Sequence, residues 1–366
     1  MEDSYYDIFR IEHIPKDSSE QYISHTCVAT MFRRICMNNI PVYCFAYWND
    51  EQQDKITIMN NTTCLNNGFI KHRLSMLPIN QKPSIKLLNI TDTNILYQEE
   101  CCDSSTNSKY HLEFNTNDHI TDDHRKGIKT KEAYIYTHTE NKNNISMTVK
   151  NIEENIEEKI FPYNIYFHKI RDVLKETLHI KAITEIGYGY QSGANTPVSN
   201  ITPKQYENYT DLHIETIRGI TQYNPTHTLE TCLIITTNML IIFKNKVDQL
   251  LCENMQKHQW SIQDQYLAYK FYIQNESSTI IQFIQNYIIK RYINKSRYYH
   301  ISYIQPHPLK EDIQICIAVE KKLENDENWY KNHIKCIFSD DIKQAIELLH
   351  TNILINEKTI KDYLNI

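Results

Sequence analysis

From residue 224 to about 254 the chain carries its longest periodic apolar stretch. Leu229, Cys232, Leu233, Leu240, Phe243, Val247 and Leu250 fall on one face of a helix of roughly eight turns, at about 3.6 residues each. Asn224, Pro225 and Thr226 supply good cap chemistry at its start. A helix that long has to bury its stripe against another surface. A strand at 211–219 precedes it, with Leu212, Ile214, Thr216 and Arg218 alternating against His213, Glu215 and Ile217. After a polar linker at 255–265 the same order of elements starts again. A chain arranged in this way folds as two similar halves, each able to cover the other's apolar helix faces across a pseudo-twofold.

The first half opens with a strand at 4–14 and a helix from about 24 to 38. Val28, Met31, Phe32 and Ile35 give the helical stripe, Arg33 and Arg34 lie at its edge, and Asn38, Asn39 and Pro41 stop it. Strands are expected at 42–48 and 55–60. The stretch 66–79 reads as a short helix capped by Asn66 or Asn67, with Phe69, Ile70, Leu74 and Leu77 able to share one face. It ends before Pro78, because residues preceding proline leave the α region. From 81 to about 180 the chain is polar and poor in long periodic runs, and an inserted, mostly β domain is expected over 81–199. Strand candidates there are 85–90, 109–115, 133–138 and 145–149; 161–178 reads as helical and 118–131 as a surface loop. In the second half, 266–273 is a strand and 275–292 a helix with Ile280, Ile284, Tyr287 and Ile288 on one face. Strands at 298–304 and 312–320 are joined through Pro306, His307, Pro308 and Leu309. Residues 329–338 extend the sheet or its loop, and Ser339 caps a final helix carrying Ile342, Ala345, Ile346, Leu349 and Ile353.

A net charge of -6 argues against a general nucleic-acid binder, and Lys290, Arg291, Lys295 and Arg297 read as a solvated helix end. The opening residues are acidic and polar and form no signal peptide. The apolar run 229–243 is interrupted by Thr236, Thr237 and Asn238 and is shorter than the ~20 residues of a membrane span. A soluble intracellular protein with no membrane partner is therefore expected. The ten cysteines show no framework spacing, which fits reduced thiols. Cys101 and Cys102 lack the second pair that a four-ligand zinc site needs, and His111, His119 and His124 are spaced like surface histidines. Neither zinc nor any other cofactor is expected. Gly187, Gly189 and Gly193 do not match a phosphate loop, and Asn195-Thr196-Pro197 opens no helix after them. They read as a flexible turn returning the chain to the first half. No Asp triad clusters for metal-ion nucleotidyl transfer, so no catalytic residue is assigned. An enzyme built on Cys101 and a histidine lacks a nucleophile–base–orienter set on defined elements.

Taken alone, 66–79 is an amphipathic helix whose Arg73 is either solvated or docks a partner. Its His72-Arg73-Leu74 with Pro78-Ile79 resembles the His-Arg-Leu-x-x-x-Pro-Ile/Leu signature of the α-type assembly subunits of multisubunit RNA polymerases. That family includes bacterial α, archaeal D and subunit 3 of eukaryotic RNA polymerase II. Arg33-Arg34 ahead of Pro41 is similar to its first helix end, and Thr196-Pro197-Val198 to its step after a glycine segment, with Tyr188 where the family has Lys. Asn275-Glu276-Ser277-Ser278-Thr279, and Tyr303 ahead of His307-Pro308-Leu309, are similar to the partner subunits, subunit 11 and archaeal L. Ser277 and Ser278 stand where those partners have an acidic residue and His.

The resemblance implies an α+β fold of two α-subunit-type dimerisation domains paired by a pseudo-twofold. The first would span 1–80 and 200–254 with an inserted mostly-β domain at 81–199, and the second 266–366. It implies a non-catalytic platform that docks the largest and second-largest polymerase subunits and small subunits like subunit 10, meeting DNA and RNA only through the complex. Arg33, Arg34, His72, Arg73, Leu74, Pro78 and Ile79 would dock partners. Val28, Phe32, Ile35, Ile280, Ile284, Ile288, His307, Pro308 and Leu309 would form the intramolecular interface. Fusion of the two subunits is a feature of large cytoplasmic DNA viruses, which implies the virion and the host cytoplasm, and otherwise the nucleus. A dimerisation scaffold unconnected with transcription is the alternative.

Overall fold

The structure is a computed structural model that describes residues 5–12, 24–45, 55–79, 85–86, 98–99, 110–115, 125–129, 134–141, 144–150, 166–171, 176–217, 224–258, 266–292, 297–307, 312–321, 326–352, 354–355 and 358–359. β1 (Tyr6–Glu12) leads to α1 (His25–Asn38). The stripe of Val28, Met31, Phe32 and Ile35 is buried, widened by Ala29 and Cys36. The chain then passes through β2 (Val42–Cys44), β3 (Ile56–Asn61) and α2 (Asn67–Ser75). The Asn66 side chain caps α2 by accepting from the Phe69 N–H.

A β-rich unit follows. Its strands are β4 (Ile85–Lys86), β5 (Gln98–Glu99), β6 (Tyr110–Asn115), β7 (Arg125–Lys129), β8 (Tyr134–Asn141), β9 (Asn144–Lys150), β10 (Tyr166–Arg171), β11 (Leu178–Ile183) and β12 (Glu185–Gly187). Five of the chain's strands form an antiparallel sheet in the order β3-β11-β6-β8-β9, and β7 pairs with β10. Two expectations are corrected here. Residues 166–171 are a strand inside the stretch 161–178 expected to be helical, and 125–129 is a strand inside the expected loop. Short aromatic and β-branched runs fit either period, and pairing decides between them. α2 lies on this sheet. Ile70, Leu74, Leu77 and Ile79 pack with Ile56, Leu112, Phe114, Leu178 and Ile180 in a core separate from that around α1. Residues 55–79 thus share the core of the inserted unit rather than that of the first half.

The chain returns through β13 (Val198–Gln205) and β14 (Tyr209–Thr216) to α3 (Pro225–Asp248). The sheet order is β1-β14-β13. Ile11, Ile201, Leu212 and Ile214 face the helices from it. Asn224 caps α3 by accepting from His227 N–H, and Pro225 occupies the first turn, where it costs no hydrogen bond. α3 ends at Asp248, and a separate 3-10 turn spans Cys252–Asn254, so the helix is shorter than expected.

The second half comprises β15 (Gln256–His258), β16 (Tyr266–Ile273), α4 (Ser278–Tyr292), β17 (His300–Ile304), β18 (Ile313–Glu320), α5 (Glu327–Asn352) and the short β19 (Leu354–Ile355) and β20 (Lys358–Thr359). Its sheet order is β15-β16-β18-β17. β15, inside the expected linker, adds an edge strand to this sheet. α5 is one helix of 26 residues. Ser339 therefore lies in its interior rather than at its start. Tyr330, Ile334, Phe338, Ile342, Ala345 and Leu349 form one continuous buried stripe.

Without the edge strand β15, the path β16-β18-β17 repeats β1-β14-β13. In each half a strand, a helix, two strands and a long helix follow in that order, and the last strand takes the central place. Like elements meet: α1 packs against α4 and α3 against α5. A single core runs through both halves, from Val28, Phe32 and Ile35 to Ile280, Ile284 and Ile288. The fold is α+β, and all strand pairings among the described residues are antiparallel.

Candidate docking surface

α2 has a buried apolar face and an outward face that mixes apolar and basic side chains. Ile70 and Leu74, with Leu77 and Ile79 beyond the helix, are buried against the inserted sheet. Phe69, His72, Arg73 and Met76, spaced i, i+3, i+4, i+7, point outward. Phe69 is 61% exposed and Met76 57%, so Phe69 does not belong to the buried face assigned to it from sequence. No acidic residue lies in the first turn of α2, and His72 and Arg73 sit in its last turn, where positive charge meets the negative end of the helix dipole. Asn61 fixes the approach to the helix by donating to Leu65 O at 2.8 Å and Asn67 Oδ1 at 2.7 Å. Of the residues assigned to docking, His72 and Arg73 reach solvent, Pro78 is half-buried, and Leu74 and Ile79 anchor the helix from beneath.

The arginine pair divides. Arg33 Nε donates to Ile201 O at 3.2 Å, tying α1 to β13. Arg34 lines a groove between α1 and α4. Val28, Phe32, Ile35, Ile280, Ile284 and Ile288 are all buried where the halves meet. His307 is exposed, and Pro308 and Leu309 lie outside the described residues.

Two polar clamps across the halves were not visible in the sequence. Lys246 Nζ on α3 donates to Gln274 O at 3.1 Å, Asn275 O at 2.9 Å and Glu276 Oε1 at 2.8 Å. Asn275 has φ 51°, a left-handed conformation that Asn tolerates better than other side chains. The Asn-Glu pair at the start of the second helix thus makes a turn and an ion pair. The second clamp joins α3 to α5, where Asp248 accepts from Ser339 Oγ and from Lys244 Nζ. Burial alone would raise the Asp248 carboxyl, but these hydrogen bonds and the charges of Lys244 and Lys335 hold it below its ordinary value.

The glycine segment is a turn docked on the end of α1. Tyr190 N–H donates to Asn38 O at 3.2 Å, and a Cβ built on Gly189 would stand 1.8 Å from Met37 O. Because a backbone carbonyl is the obstacle, Gly189→Ala should cost about 2 kcal/mol, read as a lower thermal midpoint. A midpoint equal to the parent's would show that the turn does not seat on α1.

No activated nucleophile emerges among the described residues. Burial pushes the Cys27 thiol up to about 11 and that of Cys44 to about 12, the reverse of activation. The free thiol of Cys36, hydrogen-bonded to that of Cys232 and buried, is raised as well. No three His, Cys, Asp or Glu side chains gather as metal ligands among the described residues, and Cys101 and Cys102 lie outside them. α3 is long and apolar enough to cross a membrane, yet most of it is buried in the shared core. No protein-family model matches the chain, and no characterised protein is recognisably similar to it in sequence.

Proposed function

We propose that this chain is a non-catalytic assembly-platform subunit of a DNA-directed RNA polymerase, a subunit 3 and subunit 11 equivalent joined in one polypeptide. The observation that carries this reading is the repeated strand path, with like helices facing one another across one core. It is the arrangement expected of two α-type dimerisation domains paired by a pseudo-twofold. Joining the halves replaces a bimolecular step by an intramolecular one, so each half sees the other at high effective concentration. The platform would present α2 to the second-largest subunit and then recruit the largest subunit and a small subunit like subunit 10. Nucleic acid is met through the complex. In a viral source the site of action is the virion and the host cytoplasm.

On α2, His72 and Arg73 form the polar centre of the contact, with Phe69 and Met76 as apolar flanks. Arg73→Ala should weaken assembly by about 2 kcal/mol, roughly thirtyfold in affinity, with an unchanged thermal midpoint. Undiminished recovery of partners by the variant would remove Arg73 from the interface. The reading as a whole is tested by affinity purification of the tagged chain from its native source. Stoichiometric recovery of two very large subunits with template-dependent RNA synthesis is the expected result. Recovery of the chain alone, in salt mild enough to keep complexes, would leave a dimerisation scaffold unconnected with transcription.

A further inference from the structure

We infer that the groove between α1 and α4 is a binding site for an extended acidic segment of a partner protein. The groove encloses about 310 Å³ and is built from both halves. Arg34 comes from the first half and Lys290 from the second. Thr30, Gln205, Gln282 and Asn286 supply neutral hydrogen-bonding groups between and around them. Among the described residues no acidic side chain lines the groove, and neither Arg34 nor Lys290 enters an ion pair with any of them. In a chain of net charge -6, two cations in one groove without a described acidic neighbour constitute a local charge preference for an anion.

The neutral groups decide what kind of anion fits. Carboxamides and hydroxyls both donate and accept, which suits the N–H and C=O groups of an extended backbone. The two cations suit carboxylates on that backbone. A nucleic-acid strand would call for a longer run of positive charge, because its phosphates dominate affinity. The volume sits at the small end of binding pockets, of order a few hundred Å³, so the groove holds a short segment and not a folded domain. Asn286 is held in place by donating to Gln282 O at 2.9 Å. Lys290, which reads from sequence as a solvated helix end, thereby acquires a role. The proposal goes beyond the platform reading, since it needs no polymerase subunit.

The test is a titration of the full chain with a short fluorescein-labelled peptide of alternating Glu and Ala. A Gln and Ala peptide and oligothymidylate serve as comparators. Saturable binding of the Glu peptide alone is expected. Arg34→Ala with Lys290→Ala should weaken it about tenfold, and either change alone about threefold. Lys290→Glu, at an exposed position, repeats the test if the double variant folds poorly. Absence of saturable binding, or binding that these variants leave unchanged, overturns the proposal. So does tighter binding of oligothymidylate that depends on the same two residues, which would make the groove a nucleic-acid site. Equal displacement by inorganic phosphate at matched ionic strength also overturns it, since any anion would then serve. A chain that binds the peptide yet recovers no large subunits would sink the polymerase reading and leave this one standing.

Discussion

Replacing Lys246 by Met should lower the stability of the chain by about 3 kcal/mol, read as a fall in the urea midpoint. The Lys246 ammonium holds three acceptors at once: two main-chain carbonyls at the end of β16 and the carboxylate of Glu276. The Glu276 side chain is 7% exposed and that of Lys246 19%, so water does not replace the lost partner freely. A buried carboxylate deprived of its cation costs far more than the ion pair contributes net. That asymmetry gives the control. Lys246→Met combined with Glu276→Met should recover most of the loss, to within about 1 kcal/mol of the parent, because both charges leave together. A single variant as stable as the parent would mean that Glu276 is satisfied without Lys246. The clamp also links α3 of the first half to the β16–α4 turn of the second, so its loss bears directly on how firmly the halves are joined.

What the sequence made legible was periodic and local. The stripe of α1, the strand Tyr266–Ile273 and the face of α4 follow from spacing alone, because each buries one side against a large core. The start of α2 follows from Asn66, whose side chain finds the N–H that cap chemistry requires. Where tertiary contact overrode local preference, the sequence misled. Ser339 has the chemistry of a helix cap, yet its hydroxyl is taken by Asp248 of α3, some ninety residues away in the chain, and α5 runs straight through. Tyr166–Arg171 is a strand because β7 pairs with it, a partner no window around 166 contains.

The candidate surface was legible in identity but not in orientation. Phe69 fits an apolar helical stripe as well as Ile70 does, and only the position of the inserted sheet shows which of them is covered. Arg33 and Arg34 are neighbours in sequence and diverge in role because successive residues on a helix point about 100° apart. One meets β13, the other the groove beside α4. Lys246 gave no signal at all, since a lysine near the end of a helix is ordinarily solvated.

Phe32→Ala should cost about 4 kcal/mol and should destabilise both halves together. Phe32 is 1% exposed and belongs to the core that continues into α4 and α5. If that core is one cooperative unit, a cavity on the α1 side is felt on the α5 side. Trp329 reports on the second half, where it stacks on His333 at 4.6 Å and meets Tyr330 edge-on. With Trp48→Phe and Trp260→Phe as background, Trp329 is the remaining tryptophan of the chain. Its fluorescence midpoint in urea should then fall as far as the midpoint followed by circular dichroism. Leu178→Ala makes the contrast, because Leu178 lies in the separate core of the inserted unit. It should soften that unit and leave the Trp329 transition near its parent value. A Trp329 midpoint indifferent to Phe32→Ala would mean two domains that merely touch. Coupled melting means that neither half persists without the other, and that is the property a platform needs if it is to offer large partners one rigid surface.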